Sequence, residues 1–212
     1  NNPETVGGLQ KAYASQIITN AENFRKYGTA GGLSTFEAMG TLPLQNWKFA
    51  GRWEESAEKI NGFTMTETVL TGRYFCDACI LGCGRRVKVE KGPYAGVEGS
   101  GPEYETLALL GSNCLIDDLE ALCFVNELCN RFGLDTISTG GVIGFAMEAF
   151  EKGLIAGKDT DGIELTWGNW PAMVEMCEKV VRREGFGDVL AEGAVRAAEK
   201  IWTGEIDNAF VF

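Results

Sequence analysis

The chain contains no histidine among its 212 residues. That absence removes the usual imidazole general base, the Ser-His-Asp triad and the zinc modules built on Cys and His together. Any proton transfer must fall to Glu, Asp, Tyr, Lys or Cys. Positive charge is also in short supply: 19 Lys and Arg stand against 30 Asp and Glu, a formal net charge of −11. That balance argues against nucleic acid, and against an anionic membrane surface, as partners. No apolar run approaches the ~20 residues needed to span a bilayer. The opening Asn1-Asn2-Pro3-Glu4 has neither the basic start nor the apolar stretch of a signal peptide. It also lacks an initiator Met, as expected of a piece of a longer chain.

What is present begins with apolar content and sulfur. At 45% hydrophobic the chain has ample material for a core, in one large domain or two small ones. Its seven cysteines are an odd number, and three of them lie close together in a chain with no need of disulfide staples. That usage favours metal ligation in a reducing, cytoplasmic setting.

Periodicity predicts helices separated by glycines. Residues 7–27 carry Leu9, Tyr13, Ile17, Ala21 and Phe24 at helical spacing and stop at Gly28. After Gly31-Gly32, Ser34-Thr35 can cap a short helix through Met39, and 41–47 is a loop around Pro43. A helix near 54–60 leads to Asn61-Gly62. The Thr/Val-rich stretch Thr64 to Thr71 predicts a short strand, and Arg86 to Glu90 alternates like another. Gly92 to Pro102 is a Gly-rich loop. Helices are then predicted over Glu103–Leu110, Leu119–Arg131, Val142–Lys152 and Trp170–Arg183. A last one runs over Val189–Ile201, with Asp188 as its N-cap and Gly193 as an interruption. Nothing resembling a repeat or linker divides the chain. The fold class expected is mainly α, a multihelical domain with at most a few short strands.

The run Cys76-Asp77-Ala78-Cys79-Ile80-Leu81-Gly82-Cys83 spaces three thiols as Cys-x2-Cys-x3-Cys. Such spacing supports a 4Fe–4S cluster, because neighbouring amides can point at sulfurs pre-placed around one face of the cube. Radical enzymes that cleave S-adenosylmethionine use the opposite order, x3 before x2. Zinc is disfavoured, since there is no second Cys pair at x2 spacing. The competing reading is packing, because offsets of 0, 3 and 7 share one helical face. Gly82 and Gly84 favour ligation by giving the backbone room. A closed site wants a fourth ligand. Cys114, Cys123, Cys129 and Cys177 read instead as buried packing on or beside helices. Arg85, Arg86, Lys88 and Lys91 follow the run, as a solvated strand face or as a positive collar beside a cluster.

Two further segments carry polar chemistry. Gly101-Pro102-Glu103-Tyr104-Glu105-Thr106 sets two carboxylates and a phenol at a helix start, where acidic residues are also ordinary N-terminal charge. Asn130 to Gly141 closes one helix at Gly133, and Asp135, Thr136, Ser138 and Thr139 start the next. This turn is either capping chemistry or a set of amides and acceptors for a phosphate-bearing ligand.

In this order, the cysteine run, Gly101–Thr106 and Gly133-Leu134-Asp135-Thr136 resemble the tungsten-dependent aldehyde:ferredoxin oxidoreductase family. Leu42-Pro43 with Asn46, the loop Asp159–Leu165 with Trp167-Gly168, and Arg183–Asp188 with Ala191-Glu192-Gly193 add weaker support. The likeness covers nearly the whole chain. It implies aldehyde oxidation to carboxylic acids at a tungsten, or molybdenum, bis-pterin centre, with electrons leaving through a 4Fe–4S cluster to ferredoxin. The resemblance implies Cys76, Cys79 and Cys83 as three cluster ligands. It places Asn130, Gly133, Leu134 and Asp135 at a pterin, with Asn130 where the family motif often has Asp. Glu105, and with less support Glu103, would be the catalytic carboxylate facing the metal, a role that calls for a buried carboxyl.

Family subunits are much longer. An N-terminal domain cradles the pterins, and a C-terminal domain supplies the fourth cluster Cys and an active-site His. The expectation is therefore a single helical domain over 1–212, the middle part of a catalytic subunit in a homo- or hetero-oligomer, inactive alone. The competing functions are an aromatic acyl-CoA reductase of the same family and a non-catalytic iron–sulfur or structural module. The latter predicts no pocket lined jointly by Glu105 and Asp135.

Overall fold

The computed structural model describes residues 2–49 and 51–202. Helix α1 (Pro3–Asn20) breaks at Ala21, and α2 (Glu22–Tyr27) stops at Gly28 with φ 62°. A 3-10 turn (Thr29–Gly32) leads into α3 (Leu33–Ala38). Ser34 and Thr35 lie inside α3 rather than capping it, and the Ser34 hydroxyl accepts from Asn61 Nδ2 at 2.9 Å. Helix α4 (Glu54–Ile60) falls where periodicity placed it.

The predicted strand from Thr64 to Thr71 is mostly helix, α5 (Gly62–Thr68). Asn61 overrides the β propensity of the threonines: its side chain accepts from the N–H groups of Phe63 and Thr64 at 3.0 and 2.9 Å. The strand begins later, as β1 (Leu70–Tyr74), and pairs antiparallel with β2 (Gly84–Lys88), two residues upstream of its expected start. A third strand, β3 (Glu98–Ser100), adds to β2 from within the Gly-rich stretch read as loop. The sheet order is β1-β2-β3.

Beyond the sheet the fold is helical. The expected helix Glu103–Leu110 is a short turn, α6 (Tyr104–Thr106), that widens into a π-helical stretch (Leu107–Gly111) and a 3-10 turn (Ser112–Cys114). Helix α7 (Leu119–Phe132) is capped by Asp118, and α9 (Trp170–Arg182) by Asn169. Helix α8 (Thr136–Glu151) starts six residues earlier than apolar spacing suggested, because Asp135 caps it. It is apolar on nearly every face and is therefore central. A Cβ on Gly140 would lie 2.5 Å from the backbone of Leu109, so this glycine permits α8 to touch the π-helical stretch. The predicted final helix is two: α10 (Phe186–Leu190) and α11 (Ala194–Ile201). Gly193, at φ 88°, precedes the second as its N-cap, and Asp188 sits inside α10 paired with Arg183.

One continuous core runs from Ala30 to Ala198, and it includes fully buried Leu122, Met147 and Met173. Cys114, Cys123, Cys129 and Cys177 are buried free thiols, in keeping with packing. Burial alone pushes Cys114 up to about 12. Among the described residues no helix is long and apolar enough to cross a membrane.

Candidate functional site

The cysteine run forms the loop of the β1–β2 hairpin, so its thiols do not share a helical face. Cys76 is exposed, while Cys79 and Cys83 are half-buried. The Cys79 N–H donates to Cys76 O at 3.0 Å, and the Leu81 N–H donates to Cys79 Sγ at 3.4 Å. Ala78 and Gly82 adopt left-handed φ values of 55° and 60°. At Gly82 a Cβ would in addition crowd the ring of Phe75, an exposed side chain that would have to move. Burial, then the charges of Glu103, Cys79 and Cys76, push the Cys83 thiol above its ordinary value.

Among the described residues no three His, Cys, Asp or Glu side chains gather as a ready metal cage. The loop nevertheless suits an iron–sulfur group in donor chemistry: three accessible thiols and one amide already directed at a sulfur. The positive collar read after the run is not one surface. Arg85 is 1% exposed, its Nη2 donates to Thr66 Oγ1 at 2.7 Å, and its Nε and Nη1 have no hydrogen-bond partner among the described residues. Strand alternation turns Arg85 inward and leaves Arg86 and Lys88 exposed.

The two carboxylates of α6 open on a cavity of about 600 Å3 whose walls include Tyr74, Glu103, Glu105, Asn126, Asn130 and Thr136. Thr29 fixes one of them: its hydroxyl donates to Glu103 Oε2 and accepts from the Tyr104 N–H at 2.8 Å. Glu103 is half-buried, whereas Glu105 is exposed. The expected burial of Glu105 is thus not provided by this chain, because the short α6 turns it outward from the core. Thr106 Oγ1 and Thr136 Oγ1 lie 2.8 Å apart and bind the carboxylate turn to the start of α8.

At the Gly-Leu-Asp turn, Gly133 closes α7 at φ 72°, and the N–H groups of Gly133 and Leu134 both reach Cys129 O. A Cβ on Gly133 would meet nothing within 4 Å among the described residues, so the turn backbone is open on that side. Asp135 Oδ1 accepts from the Ser138 N–H at 2.6 Å. Hydrogen bonds from Ser138, then from Ile137, hold this exposed carboxyl below the usual range. Thr136 and Ile137 line the cavity and Asp135 does not. The structure therefore brings Glu103, Glu105 and Asn130 together beside the cysteine hairpin, and leaves Gly133, Leu134 and Asp135 at the rim of α8.

One polar centre has no counterpart among the candidate residues. Gln45, Asn46 and Trp47 take successive φ values of 47°, 52° and 61°. Asn46 Nδ2 donates to Gly144 O at 3.2 Å and to Glu148 Oε2 at 2.8 Å. Its Oδ1 accepts from Asn113 Nδ2 at 2.9 Å, and its N–H donates to Asn113 Oδ1 at 2.8 Å. Burial would raise the Glu148 carboxyl, but bonds from Asn46, Lys152 and Lys48 outweigh it and hold the group below its ordinary value. This network borders an apolar cavity of about 650 Å3 lined by Leu109, Val142 and Phe145 among others. The sequence signal was Asn46 after Leu42-Pro43, without any indication of its partners.

Residues 7–209 match the family profile described as aldehyde ferredoxin oxidoreductase, domains 2 and 3. Over 200 residues the chain is 41% identical to the tungsten-containing aldehyde ferredoxin oxidoreductase of Pyrococcus furiosus, covering 94% of this chain and 30% of that protein. It is 34% identical over 180 residues to a WOR-like subunit of aliphatic sulfonate oxidoreductase from the same organism, covering 84% and 28%. Among solved structures, the active-site complex BamBC of benzoyl coenzyme A reductase with 1,5-dienoyl-CoA is similar at a TM-score of 0.66. That match is 22% identical over 84% of this chain and 26% of the other, a likeness of fold. The chain spans about 30% of the length of the curated relatives it matches.

Proposed function

Because this chain belongs to the aldehyde ferredoxin oxidoreductase family, we propose that it is one helical domain of a larger aldehyde-oxidising catalytic subunit. In this reading electrons pass to ferredoxin or another iron–sulfur subunit, in the cytoplasm and in a homo- or hetero-oligomer. The observation that carries it is the cavity of about 600 Å3 where Glu103 and Glu105 meet Asn130 and Thr136, with Cys83 in electrostatic reach of Glu103. Asp135 is not among the residues lining that cavity, which is the outcome expected of a non-catalytic iron–sulfur module; against that module the catalytic reading is supported instead by the family match over residues 7–209.

The residues take complementary roles. Cys76, Cys79 and Cys83 hold three corners of a 4Fe–4S cluster, with the Leu81 N–H already on one sulfur. Asn130, Gly133, Leu134 and Asp135 bind a pterin: the backbone at Gly133 is open, and Asp135 keeps the first turn of α8 in place. When bound, the tungsten or molybdenum bis-pterin centre supplies the two-electron oxidation, and the cluster relays electrons singly. Oxidation of an aldehyde to a carboxylic acid consumes water and releases two electrons and protons. Glu105 accepts a proton at its carboxylate, while Glu103, gripped by Thr29, holds fixed negative charge beside it.

The test uses the full-length enzyme. Glu105→Gln should lower aldehyde oxidation by at least ~100-fold while tungsten and iron contents stay unchanged. Undiminished turnover would remove Glu105 from this role. Assaying wild-type protein against short aldehydes and an aromatic acyl-CoA separates the aldehyde oxidase from a thioester reductase.

A further inference from the structure

The cysteine loop is fastened from outside the hairpin. Its own residues contribute the bonds from Cys79 N–H to Cys76 O and from Leu81 N–H to Cys79 Sγ. The grip comes from the last turn of α2. Arg25 Nε donates to Leu81 O at 3.0 Å, across 56 positions of sequence. Arg73 on β1 donates from Nη1 to Arg25 O at 3.2 Å, so the arginine that holds the loop is itself held. Gly28 brings the same turn against the loop's far end, since a Cβ there would stand 3.1 Å from Cys83 O. Arg25 forms no ion pair among the described residues, so its guanidinium is not committed to an acid.

These contacts make one chain: Arg73 to Arg25, Arg25 to Leu81, Leu81 to the Cys79 sulfur. We propose that Arg25 is a positioning residue for the thiol loop, holding Leu81 so that its N–H stays aimed at Cys79 Sγ. The proposal rests on the reading of this loop as the seat of a 4Fe–4S cluster. A hydrogen bond to a cluster sulfur stabilises the more negative, reduced form and so raises the reduction potential. Loss of the grip lets Leu81 turn away, and the potential falls. Lys26 provides the internal control. It lines the same groove as Arg25 and Arg73, packs over the Tyr27 ring, and is not bonded to the loop.

The experiment uses the full-length enzyme, with iron and acid-labile sulfide measured first and the cluster midpoint potential read by EPR-monitored redox titration. Arg25→Met should keep its iron and sulfide but shift the reduced-to-oxidised ratio about tenfold toward oxidised, about 59 mV for one electron. Arg25→Lys, which can still donate to Leu81 O, should recover most of that shift, and Lys26→Met should move the potential far less. An unchanged potential in Arg25→Met, with the cluster intact, would overturn the proposal. So would a shift in Lys26→Met as large as that in Arg25→Met, which would show that charge acts rather than the grip. If Arg25→Met assembles too little cluster to titrate, Arg73→Met must lower the potential in the same direction, and an unmoved value refutes the idea. Absence of iron and sulfide from the wild-type enzyme would instead remove the cluster reading, and this proposal with it.

Discussion

Replacing Asn46 by Ala probes the polar centre that ties the chain's early loop to α8. The substitution leaves Asn113 oriented, because Asn113 Oδ1 still accepts from the backbone N–H of residue 46. It orphans Asn113 Nδ2, in a residue only 1% exposed, whose partner was Asn46 Oδ1. A buried donor left without a partner costs about 1–3 kcal/mol. Glu148 loses one bond but keeps Lys48 and Lys152 at 3.2 and 2.9 Å, so its loss is the smaller one. Alanine must also hold the left-handed conformation that Asn tolerates, at φ 52°, for about 1 kcal/mol more. The sum is a destabilisation of about 3 kcal/mol, read as a shift in the urea midpoint at constant slope. Asn46→Gly separates the two contributions. It loses the same side chain but not the conformational freedom, so it should be more stable than Asn46→Ala by about 1 kcal/mol. An Ala variant within about 0.5 kcal/mol of wild type, or a Gly variant below Ala, would refute the reasoning.

Other outcomes follow from the same contacts. Glu148 is held below its ordinary value of 4.5, so its contribution to stability is present above that pH and is lost as pH falls through the lower folded value. Urea midpoints taken down a pH series should decline less steeply in acid for Glu148→Gln than for wild type. An identical acid limb would show that this carboxylate is not among the groups responsible. Gly140→Ala should destabilise by about 2–3 kcal/mol, since the new methyl group meets the Leu109 backbone and α8 must move. A thermal midpoint equal to wild type would show that the contact yields without strain.

Much of the helical scaffold could be read from local chemistry. Gly28, Gly133 and the apolar spacing of α4, α7 and α9 each carry their signal within a few residues. The misreadings have local causes too. Asn61 turns a threonine-rich stretch into helix α5, and Gly193 divides a helix that its apolar pattern would have continued. What stayed hidden depends on contacts far apart in sequence. Arg25 meets Leu81 across 56 positions, and Asn46 meets Glu148 across 102. The inward turn of Arg85 could be read only once the register of β2 was known. The candidate site followed the same division. Its residue types and order were visible in the three motifs, whereas the sharing of one cavity by Glu105, Asn130 and Thr136, without Asp135, is a product of packing.

The account stands on the hairpin loop as the holder of an iron–sulfur group. Its most direct test is the iron and acid-labile sulfide carried by the full-length protein after Cys79→Ala. The account predicts a marked loss of both relative to wild type with the helical content preserved. Full iron and sulfide in that variant would contradict it.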